Sequence, residues 1–451
     1  MAINSFELII ERESGLPRDI GPVTWLWMAI GGGISMGLIQ GETLARYLAG
    51  PWVWLCYLMA AGVTGLLVLA LRDIARQGTP ASGFAGYVEA QLGGYAGFAV
   101  RMSYFCAFLL LLGSELVLLG HYLAVILGAA SWLWSLLLLV LMSLVQYLGT
   151  CSFARLLSGF NFFKLMILLA FISIGLWLVC SGGASVAGPD WHLPQEDWPW
   201  LSLAGAFLLA LFSFQGVELL SLTAAQAQEP AQTLASRLGK GAGLAIALYL
   251  LTMLVSVWLV PWQSAPTREA PLLGLMRMAQ IDDAKRIFDV FLVLFSLGVW
   301  YVQLHVASRL LFSLARAGMA PARLGRLDGR GTPALAVLVT AGLVLIIFLL
   351  SRHWPAELEL LVIGVAGTGI LLSWACVFAA RSTPTVWREE GMLAGCRGLA
   401  GLALLIIALV LMPVSGLYEN SLWLGVLFQA IICCIYFFVN PRRFFISFQW
   451  R

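Results

Sequence analysis

Apolar stretches of membrane-spanning length alternate with short polar breaks along almost the whole chain. About 20 apolar residues cross the hydrocarbon of a bilayer. Twelve such stretches can be drawn, near residues 24–44, 50–71, 95–119, 132–150, 160–180, 201–224, 241–261, 288–315, 333–351, 358–380, 397–417 and 421–439. The predicted fold class is an all-α polytopic membrane protein with twelve transmembrane helices. Its longest loops, about 182–200, 262–287 and 316–332, are too short for a soluble domain. The first apolar run is span-length and follows Glu7, Glu11 and Glu13, which predicts a first span and not a cleavable signal.

Composition agrees: 61% of the 451 residues are hydrophobic and 11% charged, against about a quarter charged in a globular domain. The placement of basic residues sets the expected orientation. Of the 26 Lys and Arg, only Arg46, Arg268, Arg277, Lys285, Arg286 and Arg352 fall on one side. Trp52, Trp54, Trp132, Trp134, Trp198, Trp200, Trp258, Trp262, Trp354 and Trp423 cluster at the span ends of that same side, where amphipathic rings favour the interface. Both termini are therefore expected in the cytoplasm, with the spans in a plasma membrane, a bacterial inner membrane given the short tails. The net charge of +3 is spread over many loops and predicts no nucleic-acid partner. Eight cysteines, with no pairing beyond the adjacent Cys433 and Cys434, read as small apolar residues of a bundle. No metal, cofactor or catalytic residue is expected. No strand precedes the glycine run, no Gly-Lys-Ser/Thr follows it, and no His-Glu-x-x-His, Cys/His cluster or nucleophile elbow occurs. The pattern excludes an enzyme.

Two spans carry interruptions. The first reads WLWMAIGGGISMGLIQGETLA, with Gly31, Gly32, Gly33 and Gly37 close together, and each Gly weakens a helix by about 1 kcal/mol relative to Ala. Close helix packing through small residues is the simpler alternative. The sixth span breaks at Ser213-Phe214-Gln215-Gly216, five spans later and in the opposite direction. Paired interruptions in two inverted halves point to a transporter's central site. Unwinding a helix there frees backbone groups that need a polar partner. Half-helix N-termini then suit an anionic group and freed carbonyls a cationic one. A zwitterionic amino acid brings both.

The same residues resemble the amino acid permeases of the amino acid–polyamine–organocation superfamily over most of the chain. AIGGGISMGL is similar to the family's Gly-Gly-x-Ile-Gly-x-Gly-Leu. FQGVELLSLTAAQAQEP resembles its Phe-x-Gly-Val-Glu stretch. GFAVRMSYFCAFLLLLGSEL carries Tyr104 and Glu115 where the family has a Tyr and a Glu, and ASRLLFSLARAGMAPARLGRLDGRGTP is similar to the loop after the eighth span. Trp374 and Gly391 fit as well.

The resemblance implies a five-plus-five inverted-repeat core with broken helices 1 and 6. Its repeats would be residues 24–180 and 201–380, followed by spans at 397–439, with cytoplasmic segments 1–23 and 440–451 at the ends. It implies secondary active transport of amino acids by alternating access, with protons rather than sodium as the coupling ion. Exchange of amino acids, and a non-transporting amino acid sensor on the same fold, are the alternatives. A channel is disfavoured because no span carries a filter segment.

Carried over residue by residue, Ser35, Met36 and Gly37 fall at the family's carboxylate-binding turn, with Ser35 replacing a Gly, and Gly33 joins the substrate-binding set. Phe212 takes the place of an aromatic gate. Phe214, Gln215 and Gly216 line the second break, and Tyr104 joins the substrate-binding set. Glu115, Lys164 and Glu218 are the coupling or gating candidates. Lys164, the only lysine inside a drawn span, stands where sodium-driven relatives hold their ion; the alternative is that it snorkels to water. Glu218 pairs with the broken first helix, carries a proton, or plays a structural hydrogen-bonding role. Gln226 stands where the family has a Glu, and Arg101 replaces a small residue at the start of the third span. Glu42 is expected to be solvated, and His305 to be a packing or hydrogen-bonding residue. Candidates for side-chain selectivity are Tyr104, Gln215, His305 and Ser373.

Overall fold

A computed structural model describes residues 5–34, 37, 40–181, 199–259, 270–415 and 418–439. Ser35, Met36 and the expected tail 440–451 lie outside the described residues. The short helix α1 (Ser5–Arg12) precedes α2 (Pro22–Gly32), which stops within the glycine run, and α3 (Gln40–Ala49) resumes beyond it. A 3-10 turn at Gly50–Trp52 leads into α4 (Val53–Gln77). The chain doubles back there. The Ser213 hydroxyl donates to the Gly37 carbonyl at 3.0 Å and lies 3.1 Å from the Tyr57 hydroxyl, so both sides of the turn meet one side chain.

Next come α5 (Phe84–Leu92), α6 (Gly94–Leu127), α7 (Ser131–Tyr147) and α8 (Thr150–Cys180). Two pieces follow, α9 (Pro199–Ser213) and α10 (Leu219–Thr223), separated by tight turns over residues 214–218. The chain continues through α11 (Ala231–Leu259), α12 (Pro271–Met278), α13 (Ala284–Arg316), α14 (Ala334–Ser351) and α15 (Ala356–Ala380). It ends in α16 (Pro384–Glu389), α17 (Met392–Leu411) and α18 (Glu419–Val439).

Among the described residues, nine helical stretches are long and apolar enough to cross a membrane, the first running from Gly41 to Gln77 through the 3-10 turn. The expected spans near 24–44 and 201–224 are the two that the breaks divide, and α7 is apolar but only 17 residues long. Burial separates centre from rim. The most apolar window of α13 is 72% buried and that of α18 only 22%. The buried α13 packs on α6, α8 and α14. The rim helices turn Leu338, Trp423 and Leu427 outward.

α2 lies against α8 because Gly31 has no side chain. A Cβ there would sit 2.1 Å from Cγ of the buried Asn161. Gly31→Ala is expected to overpack this contact at a cost of about 1–3 kcal/mol, read as a lower melting temperature in detergent. An unchanged melting temperature would mean that α2 can draw away from α8.

One end of the bundle, hereafter the basic end, gathers Arg12, Arg72, Arg101 and Arg381. α1 docks there through the buried Phe6 and Ile9, with the Phe6 ring edge-on to Tyr87. Glu13 accepts from Arg101 (2.8 Å) and from the Ser82 N–H (2.8 Å). Arg101, fully buried, also donates to the Ser313 hydroxyl (2.9 Å) and pairs with Glu89 (2.8 Å). Arg12 closes a two-bond fork on Glu89 at 2.9 and 2.8 Å. Nearby, Arg381 pairs with Glu390 and Asp73. Ile20 and the segment after α10 exchange backbone hydrogen bonds, Ile20 N to Gln226 O and Gln228 N to Ile20 O, both 3.0 Å.

Glu89 lies outside the spans. Burial raises its carboxyl pKa, but the Arg12 hydrogen bond and the charges of Arg101 and Arg12 outweigh burial and hold it below the ordinary 4.5. A lowered carboxylate stabilises the fold fully above its ordinary value and loses that contribution as pH falls through the lowered one. Protection of the α1 segment from limited proteolysis should therefore hold at neutral pH and fall in acid below the ordinary value. Glu89→Gln should flatten that profile, and an unaltered acid limb would remove Glu89 from the clasp.

Candidate functional site

The two breaks abut. A Cβ on Gly216 would lie 3.0 Å from the Gly32 carbonyl oxygen, and one on Gly37 would lie 2.4 Å from the Ser213 Cα. Gly216 has φ +120°, a backbone region that side chains rarely enter, so the sharp turn after α9 needs glycine there. Its N–H donates to Oε2 of Glu218 at 2.9 Å. The Tyr104 hydroxyl donates to the other Glu218 oxygen at 3.3 Å and accepts from Trp374 Nε1 at 2.7 Å. Glu218 thus holds a freed N–H of its own break, tied through Tyr104 and Trp374 to α6 and α15.

The first break is held by a cation. Lys164 Nζ donates to the carbonyls of Gly31 (3.4 Å) and Ile34 (3.2 Å) and lies 5.3 Å from the Phe295 ring centroid. The lysine is 1% exposed. It does not snorkel, because the carbonyls unwound at the end of α2 take its protons inside the bundle. Gly298 leaves room for its stem, since a Cβ there would meet Cε at 2.8 Å. The opposite charge of Glu115 acts on it.

A cavity of about 280 Å³ opens where the breaks meet. Of the residues singled out by sequence, Gly37, Phe212, Gln215, Gly216, Glu115, Lys164 and Glu218 line it. Three stand behind its wall. Gly33 packs on Ala245, Phe214 packs among Tyr57 and Tyr249, and Tyr104 acts through Glu218. Phe212 meets Tyr418 edge to face at 5.1 Å. The lining continues to Leu44, Tyr122 and Glu359, away from the basic end, where the arginine network and the Ile20 pairing close the bundle.

The profile of the amino acid permease family matches residues 24–440, nearly the whole chain. The chain belongs to that family. This permease is 26% identical over 361 residues to the uncharacterized amino acid permease YtnA of Bacillus subtilis (strain 168), with 78% of each chain covered. It is 27% identical over 364 residues to the aromatic amino acid transport protein AroP of Corynebacterium glutamicum, again covering 78% of each. The AroP of Escherichia coli O157:H7 is 24% identical over 417 residues, covering 90% of this chain and 87% of that one. In fold the permease is similar to MhsT, solved in complex with L-phenylalanine, with a TM-score of 0.57 at 16% identity, covering 94% of this chain and 99% of that one.

Other polar residues of the permease lie off the cavity. His305 is wedged between Gln146 (2.7 Å from Nδ1) and Gln226 (2.8 Å from Nε2), its ring stacked on Phe153. Gln226 also donates to the Thr150 hydroxyl at 3.0 Å. That matches the hydrogen-bonding expectation for His305. Ser373 bonds back to the Gly369 carbonyl within its own helix. Glu42 corrects its expectation: it is 2% exposed, not solvated. The chain doubles back at Gly50, which carries α3 into the bundle, and the opposite charge of Arg46 one helical turn on favours the Glu42 carboxylate.

Sequence reasoning missed Ser114, Ser296, Gln303, Glu359 and Tyr418, all of which line the cavity. Two of them share a helix and a face. Ser296 and Gln303 lie two turns apart on one face of α13, but that helix carries polar residues on other faces too, so the spacing alone does not single them out.

Proposed function

We propose that this permease is a secondary active transporter that moves amino acids across the plasma membrane by alternating access, coupled to protons. In this reading the helices make twelve spans. Residues 24–180 and 201–380 form the two inverted repeats, 397–439 the last two spans, and both termini face the cytoplasm. The observation that carries it is the meeting of both helix breaks at one cavity, beside a buried lysine that holds the first break.

Gly37 and Gly41 line the cavity at the start of α3, so the partly positive end of that half-helix suits the substrate carboxylate. The C-terminal end of α9 offers carbonyls to its ammonium. By the resemblance alone, Ser35 and Met36 belong to the carboxylate-binding set. Lys164, Glu115 and Glu218 are the proton-coupling groups: a neutral lysine, its charge gone, holds the α2 carbonyls more weakly and loosens the first break, and a protonated one fastens it. Closure at the basic end and lining that runs the other way make this the state open to the outside. At 280 Å³ the cavity is close to the lower end of small-molecule sites, about 300–1,000 Å³. Its apolar walls and the AroP relatives favour a large apolar or aromatic side chain.

The test is accumulation from a mixture of the twenty amino acids into proteoliposomes, with and without an imposed pH gradient. Accumulation only under an inward proton gradient supports the reading. Exchange of internal for external amino acid without net accumulation under any gradient would make the protein an exchanger. Ligand-induced thermal stabilisation with no flux would make it a sensor.

A further inference from the structure

Between Lys164 and the basic end the seam of α8, α10 and α13 is shut, yet it carries polar groups along its length. A small pocket of about 10 Å³ shares Gly32, Lys164 and Val302 with the central cavity and continues to Asn161 and Thr223. A ridge of α13 carries on from there, because Tyr301, His305, Arg309 and Ser313 follow one another at intervals of four residues. His305 reaches Gln226 beyond α10, and Ser313 accepts from Arg101 in the clasp that closes the end. Several of these groups have nothing to bond. Both amide atoms of Asn161, the Tyr301 hydroxyl, and Nε and Nη2 of Arg309 are buried without a hydrogen-bond partner among the described residues.

Arg309 is the extreme case. It is 2% exposed, its Nη1 donates to the adjacent Ser308 hydroxyl at 2.8 Å, and no carboxylate among the described residues pairs with it. Arg101, by contrast, has the carboxylates of Glu13 and Glu89 in the closed end. An unpaired buried cation is costly, and the cost ends once the seam parts and an anion reaches it. The unbonded atoms are also the right ones. Nε and Nη2 lie on one edge of the guanidinium, and two parallel N–H groups on an edge match the two oxygens of a carboxylate. We propose that Arg309 is an inner carboxylate site, whose guanidinium receives the α-carboxylate of an amino acid passing between the central cavity and the cytoplasm once the basic end has parted. The inference rests on the amino acid transport reading and goes further, because that reading places the substrate carboxylate only at the start of α3, on the other side of the breaks.

The experiment measures uptake into right-side-out and inside-out membrane vesicles from cells making the full-length protein. The label is on L-phenylalanine or, where another amino acid accumulates from the mixture of twenty, on that one. Competitors are the same amino acid and its carboxamide, which keeps the ammonium and the side chain but has no carboxylate. The preference for acid over amide cancels any change in which side is open, since such a change scales both alike. Arg309→Gln should lower that preference at least about tenfold at the inner face, the scale of one charged hydrogen bond, and leave it unchanged at the outer face. Arg309→Lys, a cation without the fork, should restore part of it. Wild-type protein supplies a second measurement that needs no variant to fold. There 2-phenylethanesulfonate, an impermeant anion with no ammonium, should inhibit at least about tenfold better from the inner face than from the outer, relative to the amino acid itself. An unchanged preference at the inner face means that Arg309 serves a carboxylate of this chain or an inorganic anion, and overturns the proposal. An equal fall at both faces, or a sulfonate no better from inside, overturns it too, and each of these leaves amino acid transport intact. Uptake of no amino acid by either kind of vesicle overturns the transport reading, and this one with it.

Discussion

Lys164→Gln should bind substrate and exchange it across the membrane, yet fail to accumulate it against a gradient, with pH-driven uptake reduced at least about 100-fold. The amide keeps a donor for the Gly31 and Ile34 carbonyls, which the lysine holds at 3.4 and 3.2 Å, but it carries no proton that can be gained and lost. Lys164→Ala removes the donor as well. Two carbonyls in a buried break then lose their partner, each at about 1–3 kcal/mol, so the alanine variant should also melt earlier. The pair of variants separates coupling from scaffolding. If lysine only fastens the break, glutamine should restore accumulation along with stability. Normal pH-driven accumulation by Lys164→Gln would remove the lysine from the coupling step, and the carboxylates of Glu115 and Glu218 would have to carry it.

The residues legible in the sequence were those whose behaviour is local. The glycine run ends α2 and the Phe-Gln-Gly stretch ends α9 because each acts on its own helix. Lys164 stood out because a span tolerates few lysines. Contacts between distant segments left no such mark. Arg101 and Glu13 are 88 positions apart, and nothing near either of them names the other. Glu218 was legible as a carboxylate with a role, yet its partners, the Gly216 N–H and Tyr104, depend on how the second break turns. Gln303 and Ser296 were hidden for a different reason. Polar residues sit on many faces of α13, and only packing against α6 decides which of them reach the cavity. Glu42 was placed in water because the span boundary was drawn near it, whereas the chain turns back later, at Gly50–Trp52. Ser35 and Met36 stay with the proposed carboxylate turn on the resemblance alone.

Arg101→Ala should open the basic end. The guanidinium ties four segments together, reaching Glu13 after α1, Ser82 before α5, Glu89 within α5 and Ser313 on α13. Removing one partner of a buried pair costs about 3–5 kcal/mol, because the remaining charge is left without compensation. Any state in which the basic end has parted exposes Glu13 to water and escapes most of that cost. The substitution therefore penalises the closed end selectively, and in the proposed orientation the population of the outward-open state should fall. Apparent affinity for substrate added outside scales with that population, so a drop to one-tenth weakens it about tenfold, while hydrogen exchange through α1 and α5 rises. Replacing both members by leucine tests the cause, since apolar substitution of a whole buried pair is often neutral or stabilising. Arg101→Leu with Glu13→Leu should recover both protection and external affinity, though Glu89 and Arg12 keep their own fork. If the single variant melts earlier but keeps its external affinity, the network stabilises the fold without governing which side is open. If the double variant stays open, closure depends on the charge of Arg101 itself, through Glu89 and Ser313, and not on its bond to Glu13.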